Sequence, residues 1–170
     1  FLGPWELKFL SHIYGVVAND YNIYLDEAPA DSAERVNLAL NQPVQAPSND
    51  GNRPENAVDG NENTRWSGSS GNSGYFTVDL GLYTNIIEEI KVSYFNKVYP
   101  IAYSVKVSDN GEKWVELQSG THTAGQEPVT DTVTLETPVV ARYVKLEFTG
   151  FNTAAAVQNS VGIKELTVNG

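Results

Sequence analysis

Residues 55–66 form the part of the chain with the densest set of oxygen-bearing side chains. Those side chains belong to Asp59, Asn61, Glu62, Asn63 and Thr64. Gly60 provides a turn within the stretch, and Trp66 ends it. A loop of this composition can surround a cation, because calcium takes about six to eight oxygen ligands, or it can satisfy its own backbone through Asx turns. The residues alone leave a calcium site and a plain turn open.

Residues suited to catalysis are scarce. His12 and His122 are the only histidines, and nothing in the sequence indicates that they meet. The absence of Cys excludes thiol chemistry, and no Gly-x-Ser-x-Gly, His-Glu-x-x-His or phosphate-binding glycine-rich motif is present. Paired carboxylates stay open, because distances in space cannot be seen in a sequence. We predict no catalytic residues and no turnover by this chain alone.

Side chains suited to sugar binding recur in several predicted loops. Such sites set an aromatic face beside Asn, Asp, Arg or Gln, which bond the sugar hydroxyls. The loops that carry these residue types are 48–53, 67–75, 95–99 and 151–159. Alternate connections of a sandwich lie at one end, so several of these loops can converge. The candidate contacts are Asn52, Arg53, Asn96, Lys97, Tyr99, Phe151 and Asn152.

The aromatic candidates have a second interpretation, which is packing. For Phe151, ligand stacking and packing on the rim of the sandwich are equally supported, whereas for Tyr99 we favour packing. Trp66 and Trp114 border predicted strands and are expected in the core.

The charge balance limits the partners. The chain has 170 residues, with 11 Lys and Arg against 21 Asp and Glu, a net charge of −10 and a pI of about 4.5. Nucleic acid binding depends on neutralising phosphates, and an anionic membrane surface attracts basic segments. We therefore expect no nucleic acid partner and no membrane insertion. We also expect a monomer.

The elements that would position these loops are short strands. Alternating apolar residues predict strands over 75–80, 86–94, 102–108, 114–117, 129–135, 142–148 and 163–168. Asp109-Asn110-Gly111 is a strong hairpin-turn signal. No segment of helical length shows a 3.6-residue apolar period. The sequence predicts an all-β fold, an antiparallel β-sandwich.

Residues 1–36 differ from the rest of the chain. Two alternating stretches, 5–10 and 21–25, are followed by a small, acidic, Pro-bearing segment that is typical of a linker. We interpret 1–36 as the tail of a preceding module plus a connector, and the start of the chain as the cut edge of a longer protein. The alternative is that the segment adds strands to the domain formed by 37–170.

Six motifs occur together in a fixed order. They are Asn37-Leu38-Ala39, Ala57-Val58-Asp59-Gly60-Asn61 with Thr64-Arg65-Trp66, Phe76-Thr77-Val78-Asp79-Leu80-Gly81, Tyr103-Ser104-Val105-Lys106-Val107-Ser108-Asp109-Asn110-Gly111 with Trp114, Ala141-Arg142-Tyr143-Val144-Lys145-Leu146, and Glu165-Leu166. Together they resemble a coagulation-factor C-type (discoidin) domain, in particular the bacterial family 32 carbohydrate-binding modules. The resemblance covers about residues 37–170.

The resemblance implies a jelly roll of about eight strands, a structural calcium ion and a shallow sugar site at one end. Its calcium pattern falls on Asp59, Thr64 and Glu165 as side-chain ligands, with oxygens from Asn56 and Asn61. Family members are usually attached to secreted glycoside hydrolases or polysaccharide lyases. We therefore expect a glycan partner, a catalytic module in the same polypeptide, and a secreted or cell-surface bacterial protein.

Two departures from the family pattern concern the sugar. Galactose-binding members commonly have a His after the loop's Trp and an Arg after the third strand. Here Ser67 follows Trp66, and Asn96-Lys97 occupies the region of that Arg. Glycans other than galactose are therefore equally open. A protein-interaction or adhesion domain that uses the same loops is the alternative function.

Overall fold

The part of the chain that can be described comprises residues 35–69, 73–81, 85–125, 129–151 and 160–170 of a computed structural model. The contacts divide the chain after Arg35, and the fold below is that of the second unit, Val36–Gly170. His12, the two strands predicted before residue 35 and the candidate Asn152 lie outside the described residues. The origin of residues 1–36 stays a prediction.

Nine strands and one short 3-10 helix make up the described part of the second unit. The strands are β1 (Val44–Gln45), β2 (Trp66–Ser67), β3 (Ser73–Asp79), β4 (Asn85–Tyr94), β5 (Pro100–Ser108), β6 (Val115–Thr121), β7 (Thr130–Ala141), β8 (Tyr143–Phe151) and β9 (Gly162–Asn169), and the 3-10 helix is Pro54–Ala57. None of the helices within the described ranges is long and apolar enough to cross a membrane.

The strands form two antiparallel sheets. The five-stranded sheet has the order β1-β3-β8-β5-β6, and the four-stranded sheet has the order β2-β9-β4-β7. The predicted antiparallel β-sandwich is therefore confirmed. All seven strands predicted from residue 37 onward are present, and the two strands that prediction missed, β1 and β2, are only two residues long.

The core lies between the sheets and follows from the alternation of apolar residues. On β8, Val144, Leu146 and Phe148 are buried, while the residues between them are not. Trp66 is 1% exposed, and its ring lies 5.1 Å from that of Phe76. Its prediction as a core residue is confirmed.

Trp114 corrects the corresponding prediction. It is half-buried and is not part of the core. The ammonium of Lys145 lies 3.9 Å from the centre of its ring, and the ring makes an edge contact with Tyr143. Lys145 alternates with the buried Val144 and Leu146, so Trp114 packs on the outside of the sheet. Its position directly before an edge strand explains why it is not enclosed.

The strand register places four connections at one end of the sandwich. Pro100 of β5 pairs with Phe151 of β8, and Ser67 of β2 pairs with Gly162 of β9. The links from β2 to β3, β4 to β5, β6 to β7 and β8 to β9 therefore leave the sheets at this end, which we call the loop end. The hairpin at 109–114 lies at the opposite end.

Candidate functional site

The loop before β2 is shaped by residues with special backbone preferences. Pro54 begins the 3-10 helix, and Arg53 before it is extended, as residues preceding proline usually are. Gly60 has a φ of +75°, a conformation that side-chain-bearing residues rarely adopt. The turn brings the Gly60 N–H to 3.3 Å from Oε1 of Glu165 on β9. The loop is thus folded against the last strand.

A cluster of oxygen atoms surrounds the hydroxyl of Thr64. Thr64 Oγ1 lies 2.9 and 2.8 Å from the two carboxylate oxygens of Asp59. It also lies 2.8 Å from the carbonyl of Asn61 and 3.3 Å from that of Asn56. A hydroxyl has one hydrogen to donate, so it can satisfy only one of these four acceptors at a time. The cluster is short of positive charge and of donors.

Glu165 adds a buried carboxylate next to this cluster. The residue is 5% exposed, and its Oε2 finds no hydrogen-bond partner among the described residues. The pKa of Glu165 is raised to about 7, chiefly by burial and also by the charges of Asp59 and Glu62, which together outweigh the opposing hydrogen bond from the Gly60 N–H. An unpaired buried carboxylate is costly, so this group calls for a counter-charge.

The donor set fits calcium. No three His, Cys, Asp or Glu side chains come together as a metal site in the described ranges. A cation here would instead take two carboxylates with hydroxyl and backbone oxygens, all of them hard ligands. The structure brings the five predicted ligands together: Asn56, Asp59, Asn61, Thr64 and Glu165. We call them the oxygen cluster, and its occupation by calcium stays a prediction.

The two asparagines of the cluster take part through their carbonyls. The Asn56 side chain is used elsewhere, donating to the carbonyl of Arg65 at 3.0 Å. The Asn61 side-chain oxygen accepts from the backbone and side-chain nitrogens of Asn63. Their amides therefore shape the loop and leave the backbone oxygens to face Thr64.

Backbone and side-chain contacts join three of the predicted binding loops at the loop end. Asp50 N donates to the carbonyl of Ser67 at 3.0 Å, and Ser69 N donates to the hydroxyl of Ser48 at 3.0 Å. The 95–99 loop joins them through Gly162, whose N–H donates to the carbonyl of Val98 at 2.8 Å. The predicted convergence of loops is thus seen for 48–53, 67–69 and 95–98.

Four of the predicted sugar contacts lie on accessible surface. Asn52 is half-buried, and its amide donates to Asp50 at 2.8 Å. Arg53, Asn96 and Lys97 are exposed. Asn96 has a φ of +45°, which Asn tolerates better than most residues, and the turn is closed by Val98 N donating to the carbonyl of Phe95. These residues can reach a ligand.

The two predicted aromatic contacts that the structure describes are buried. Tyr99 is 0% exposed, and its hydroxyl donates to the carbonyl of Thr123 at 3.0 Å. Phe151 is 8% exposed at the end of β8. Tyr99 therefore packs, as we favoured, and its assignment as a ligand contact is corrected. For Phe151, burial supports the rim-packing interpretation.

Sequence reasoning missed a pair of residues at the loop end. The guanidinium of Arg65 lies 4.0 Å over the ring of Phe95, and its Nε donates to Ser67 Oγ at 3.0 Å. Both residues are half-buried and join the 48–53 side of the loop end to the 95–98 side. Arg65 stood in the Thr-Arg-Trp motif and Phe95 began a candidate loop, but no spacing in the sequence linked them.

A charged pair is buried where β5 and β7 approach the loop end. His122 Nδ1 lies 2.6 Å from the carbonyl of Pro100, and Nε2 lies 3.0 Å from Asp131 Oδ1. Both partners accept hydrogen bonds, so both ring nitrogens carry a proton. Burial alone would lower the pKa of His122, but the bonds to Asp131 and Pro100 raise it overall. Tyr103 stacks on the ring at 4.9 Å.

This fold and this set of loops define a class of β-sandwich binding domains. The family model of the F5/8 type C domain matches residues 30–163, and the chain belongs to that family. A search of curated proteins gives no match.

Solved structures of carbohydrate-binding modules are similar to this chain. One is chitosan-binding module 2 of a Paenibacillus sp. IK-5 chitosanase/glucanase in complex with chitotriose, with a TM-score of 0.67, 28% identity, and coverage of 79% of this chain and 100% of that one. Another is the CBM32 of AlyQ in complex with 4,5-unsaturated mannuronic acid, with a TM-score of 0.59, 28% identity, and coverage of 74% of this chain and 92% of that one. The family 32 module of Clostridium perfringens NanJ shares the fold. Its TM-score is 0.65 at 21% identity, with coverage of 80% of this chain and 98% of that one.

Proposed function

We propose that this domain is a non-catalytic carbohydrate-binding module, with its sugar site at the loop end. The observation that carries the proposal is the convergence of loops 48–53, 67–69 and 95–98, which brings Arg65 and Phe95 together beside exposed polar side chains. The relatives that bind chitotriose and 4,5-unsaturated mannuronic acid support it, because each matches at 28% identity over most of its length.

Hydrogen bonding carries the recognition in this proposal. Arg53 and Lys97 supply donors, and Asn52 and Asn96 supply both donors and acceptors, which matches the dual character of sugar hydroxyls. Arg65 holds Phe95 in place through the cation–π contact. A single sugar on such an exposed surface binds weakly, because few of its atoms are desolvated.

The calcium ion of the proposal is structural. Asp59 and Glu165 supply negative charge, and Thr64 with the carbonyls of Asn56 and Asn61 supplies neutral oxygens. Bound calcium supplies the positive charge that the oxygen cluster lacks, and it holds the 55–66 loop against β9. The same loop leads into Arg65 and β2, so it supports the loop end from one side.

A binding module of this kind keeps an enzyme on its substrate. We extend the proposal to a parent glycoside hydrolase or polysaccharide lyase, secreted or cell-surface and bacterial, with the present chain as its monomeric accessory module. The similar chitosan-binding module, which derives from a chitosanase/glucanase of Paenibacillus sp. IK-5, supports this context.

A calorimetric titration tests the sugar site. The panel holds mono- to hexasaccharides of glucosamine, galactose, mannuronate and galacturonate. We expect binding to at least one member, and Lys97→Ala to weaken it about three- to tenfold through loss of a charged hydrogen bond. Lys113→Ala is the matched control, because Lys113 is an exposed loop lysine at the opposite end. No binding by any member would overturn the proposal.

The alternative, a protein-interaction domain, requires exposed apolar residues in the same loops. Among the described residues, the large apolar side chains that are exposed are Val36, Leu40, Ile86, Val115 and Val140. Ile86 and Val140 form a cross-strand pair near the start of β4 and the end of β7, away from the loop end. Their position favours the sugar-binding proposal.

A further inference from the structure

A groove crosses the outer face of the five-stranded sheet. It has a volume of about 480 Å³, within the roughly 300–1,000 Å³ typical of ligand sites. Its lining comes from β3, β8 and β5 and includes Tyr75, Ala102, Ser104, Glu147 and Thr149. We call it the sheet groove. None of these residues belongs to the loop-end site or to the oxygen cluster.

The groove exists because small side chains follow one another across the sheet. Thr149 of β8 pairs with Ala102 of β5, which pairs with Thr121 of β6. In the next row Glu147 pairs with Ser104, which pairs with Ser119. Paired residues share a face, so the small side chains of Ala102, Ser104 and Thr149 leave a hollow with the hydroxyls of Ser104 and Thr149 in its lining. A hollow of this chemistry suits a polar ligand better than an apolar one.

Tyr75 forms one wall of the groove. It lies directly opposite Glu147 in the register of β3 and β8. It is half-buried, so the ring is partly accessible. An aromatic ring beside charged and hydroxyl groups is the combination that sugar sites use, with the ring against the apolar face of a pyranose.

Glu147, which lines the groove, belongs to a charged triplet with Lys106 and Lys145 that is already ordered. The carboxylate of Glu147 accepts hydrogen bonds from Lys106 on one oxygen and from Lys145, at 2.9 Å, on the other. Hydrogen bonds from Lys106 and Lys145 lower the pKa of Glu147, so it stays ionised. The Lys145 ammonium is itself held 3.9 Å over the ring of Trp114. Little rotamer freedom is left to lose on binding.

This triplet matches a vicinal diol. An ionised carboxylate offers about four lone-pair sites and an ammonium offers three hydrogens, so both groups retain capacity beyond their mutual bonds. One sugar hydroxyl can donate to Glu147 while its neighbour accepts from Lys106. Hydrogen bonds to charged groups are roughly twice as strong as neutral ones.

We propose that the sheet groove is a second glycan-binding site, which takes an oligosaccharide with vicinal hydroxyls, with Tyr75 as the platform and Glu147 and Lys106 as the hydrogen-bonding groups. The inference rests on the proposed sugar-binding function and adds to it a site on a different surface. The Thr149–Ala102 row is the end of the groove nearest the loop end, since Pro100 pairs with Phe151 just beyond it. A glycan chain can therefore extend from one site toward the other.

If one glycan contacts both sites, its affinity should depend on the number of sugar units it contains. A second contact by the same molecule is intramolecular and raises the overall affinity without any new surface. A hexasaccharide reaches both sites, whereas its monosaccharide occupies one at a time. Variants in the sheet groove should therefore weaken the hexasaccharide and spare the monosaccharide at the loop end.

The test uses calorimetric titration of the full chain with the hexasaccharide of the panel above that binds most tightly, and with its monosaccharide. Tyr75→Ala removes the platform, and Thr149→Arg fills the groove from an exposed position. Thr134→Arg is the matched control, because Thr134 is an exposed threonine on the outer face of the other sheet. Thermal unfolding of each variant establishes that it is folded.

We expect Tyr75→Ala and Thr149→Arg each to lower hexasaccharide affinity about three- to tenfold, with Thr134→Arg unchanged. If both groove variants bind the hexasaccharide like the wild type while Lys97→Ala weakens it, the second site is overturned and the loop-end function stands. If the wild type binds no glycan of the panel, both proposals fail together.

Discussion

Two buried carboxylates in this domain reach charge balance in different ways. Asp131, 8% exposed, has a counter-charge within the chain, because His122 lies 3.0 Å from it with both ring nitrogens protonated. Glu165, 5% exposed, faces the second carboxylate of Asp59 and a set of neutral oxygens. Burial of an ionised group without a partner is unfavourable, so the two regions differ in what they need from solution.

The difference divides the domain into a part that contains its own counter-charge and a part that does not, although Asp131 Oδ2 and Glu165 Oε2 both find no hydrogen-bond partner among the described residues. The His122–Asp131 pair braces the connections between β4 and β5 and between β6 and β7 at the loop end, with Tyr99 and Tyr103 packed against the imidazole. The oxygen cluster braces the 55–66 loop, and in our proposal only an added cation completes it. The first should respond to pH and the second to chelators.

The largest effect is expected from breaking the internal pair. His122→Ala leaves Asp131 buried without its counter-charge, which should lower the free energy of unfolding by about 3–5 kcal/mol. Chemical denaturation measures it. The control is the double variant His122→Ala/Asp131→Asn, which should recover part of the loss because the orphaned charge is gone. A loss no larger than that of an ordinary surface substitution would show that the pair carries no special weight.

Removal of calcium comes next in size. At calcium concentrations about 100 times the dissociation constant, a bound ion contributes about 2.7 kcal/mol, so excess chelator should lower the melting temperature by roughly 5–10 °C. Sugar affinity, measured well below the transition, should change much less, since the proposed ion site is the oxygen cluster and the proposed sugar contacts lie at the loop end. An unchanged melting curve in chelator would return the loop to the plain-turn interpretation.

Replacing the buried Glu165 should have opposite effects on stability in chelator and in calcium. The pKa of Glu165 is about 7, above its usual value, so ionising it at pH 8 costs stability when no cation is present. Glu165→Gln should therefore be about 1 kcal/mol more stable than the wild type in chelator, and less stable in calcium. Differential scanning calorimetry of both proteins in both buffers measures whether the order of their stabilities reverses. If the stability difference between the variant and the wild type is the same in both buffers, Glu165 is not a ligand of the cation.

The smallest expected effect is a pH dependence that belongs to the internal pair alone. The pKa of His122 in the folded protein is raised, so its contribution is fully present below the unfolded pKa of about 6.5 and is lost as pH rises through the folded value. With calcium saturating, stability should fall by about 1 kcal/mol as His122 loses its proton. His122→Gln should flatten this part of the profile. If stability falls with pH as steeply in that variant as in the wild type, the pH dependence belongs to a group other than His122.

The strands and the oxygen-rich loop could be predicted from the sequence because their signals are local. Alternation of apolar residues gave the seven longer strands, since each strand buries one face and leaves the other in water. The two-residue β1 and β2 carry no alternation of their own, and their existence depends on the partners Val78 and Ile163. Strands that short are fixed by pairing and cannot be seen in a pattern.

The candidate sites were predictable only in part. The residues of the oxygen cluster were named through a family resemblance, but the use of the Asn56 and Asn61 carbonyls follows from a turn geometry that brings them to Thr64. Tyr99 lies in a loop full of exposed polar residues and is nevertheless buried, because its hydroxyl reaches Thr123 in another connection. Burial of a loop residue depends on what other loops cover it.

The sequence by itself determined the all-β class, the absence of thiol chemistry, and the presence of a loop too rich in oxygen to be core. These properties depend on residue type and on spacing along one segment. The tertiary structure alone decided which partner each charged side chain meets. His122 met Asp131, Arg65 met Phe95, and Glu165 came to the 55–66 loop unpaired. The partners in each case belong to different strands or connections, so their energies arise only when the two sheets and their connections are assembled.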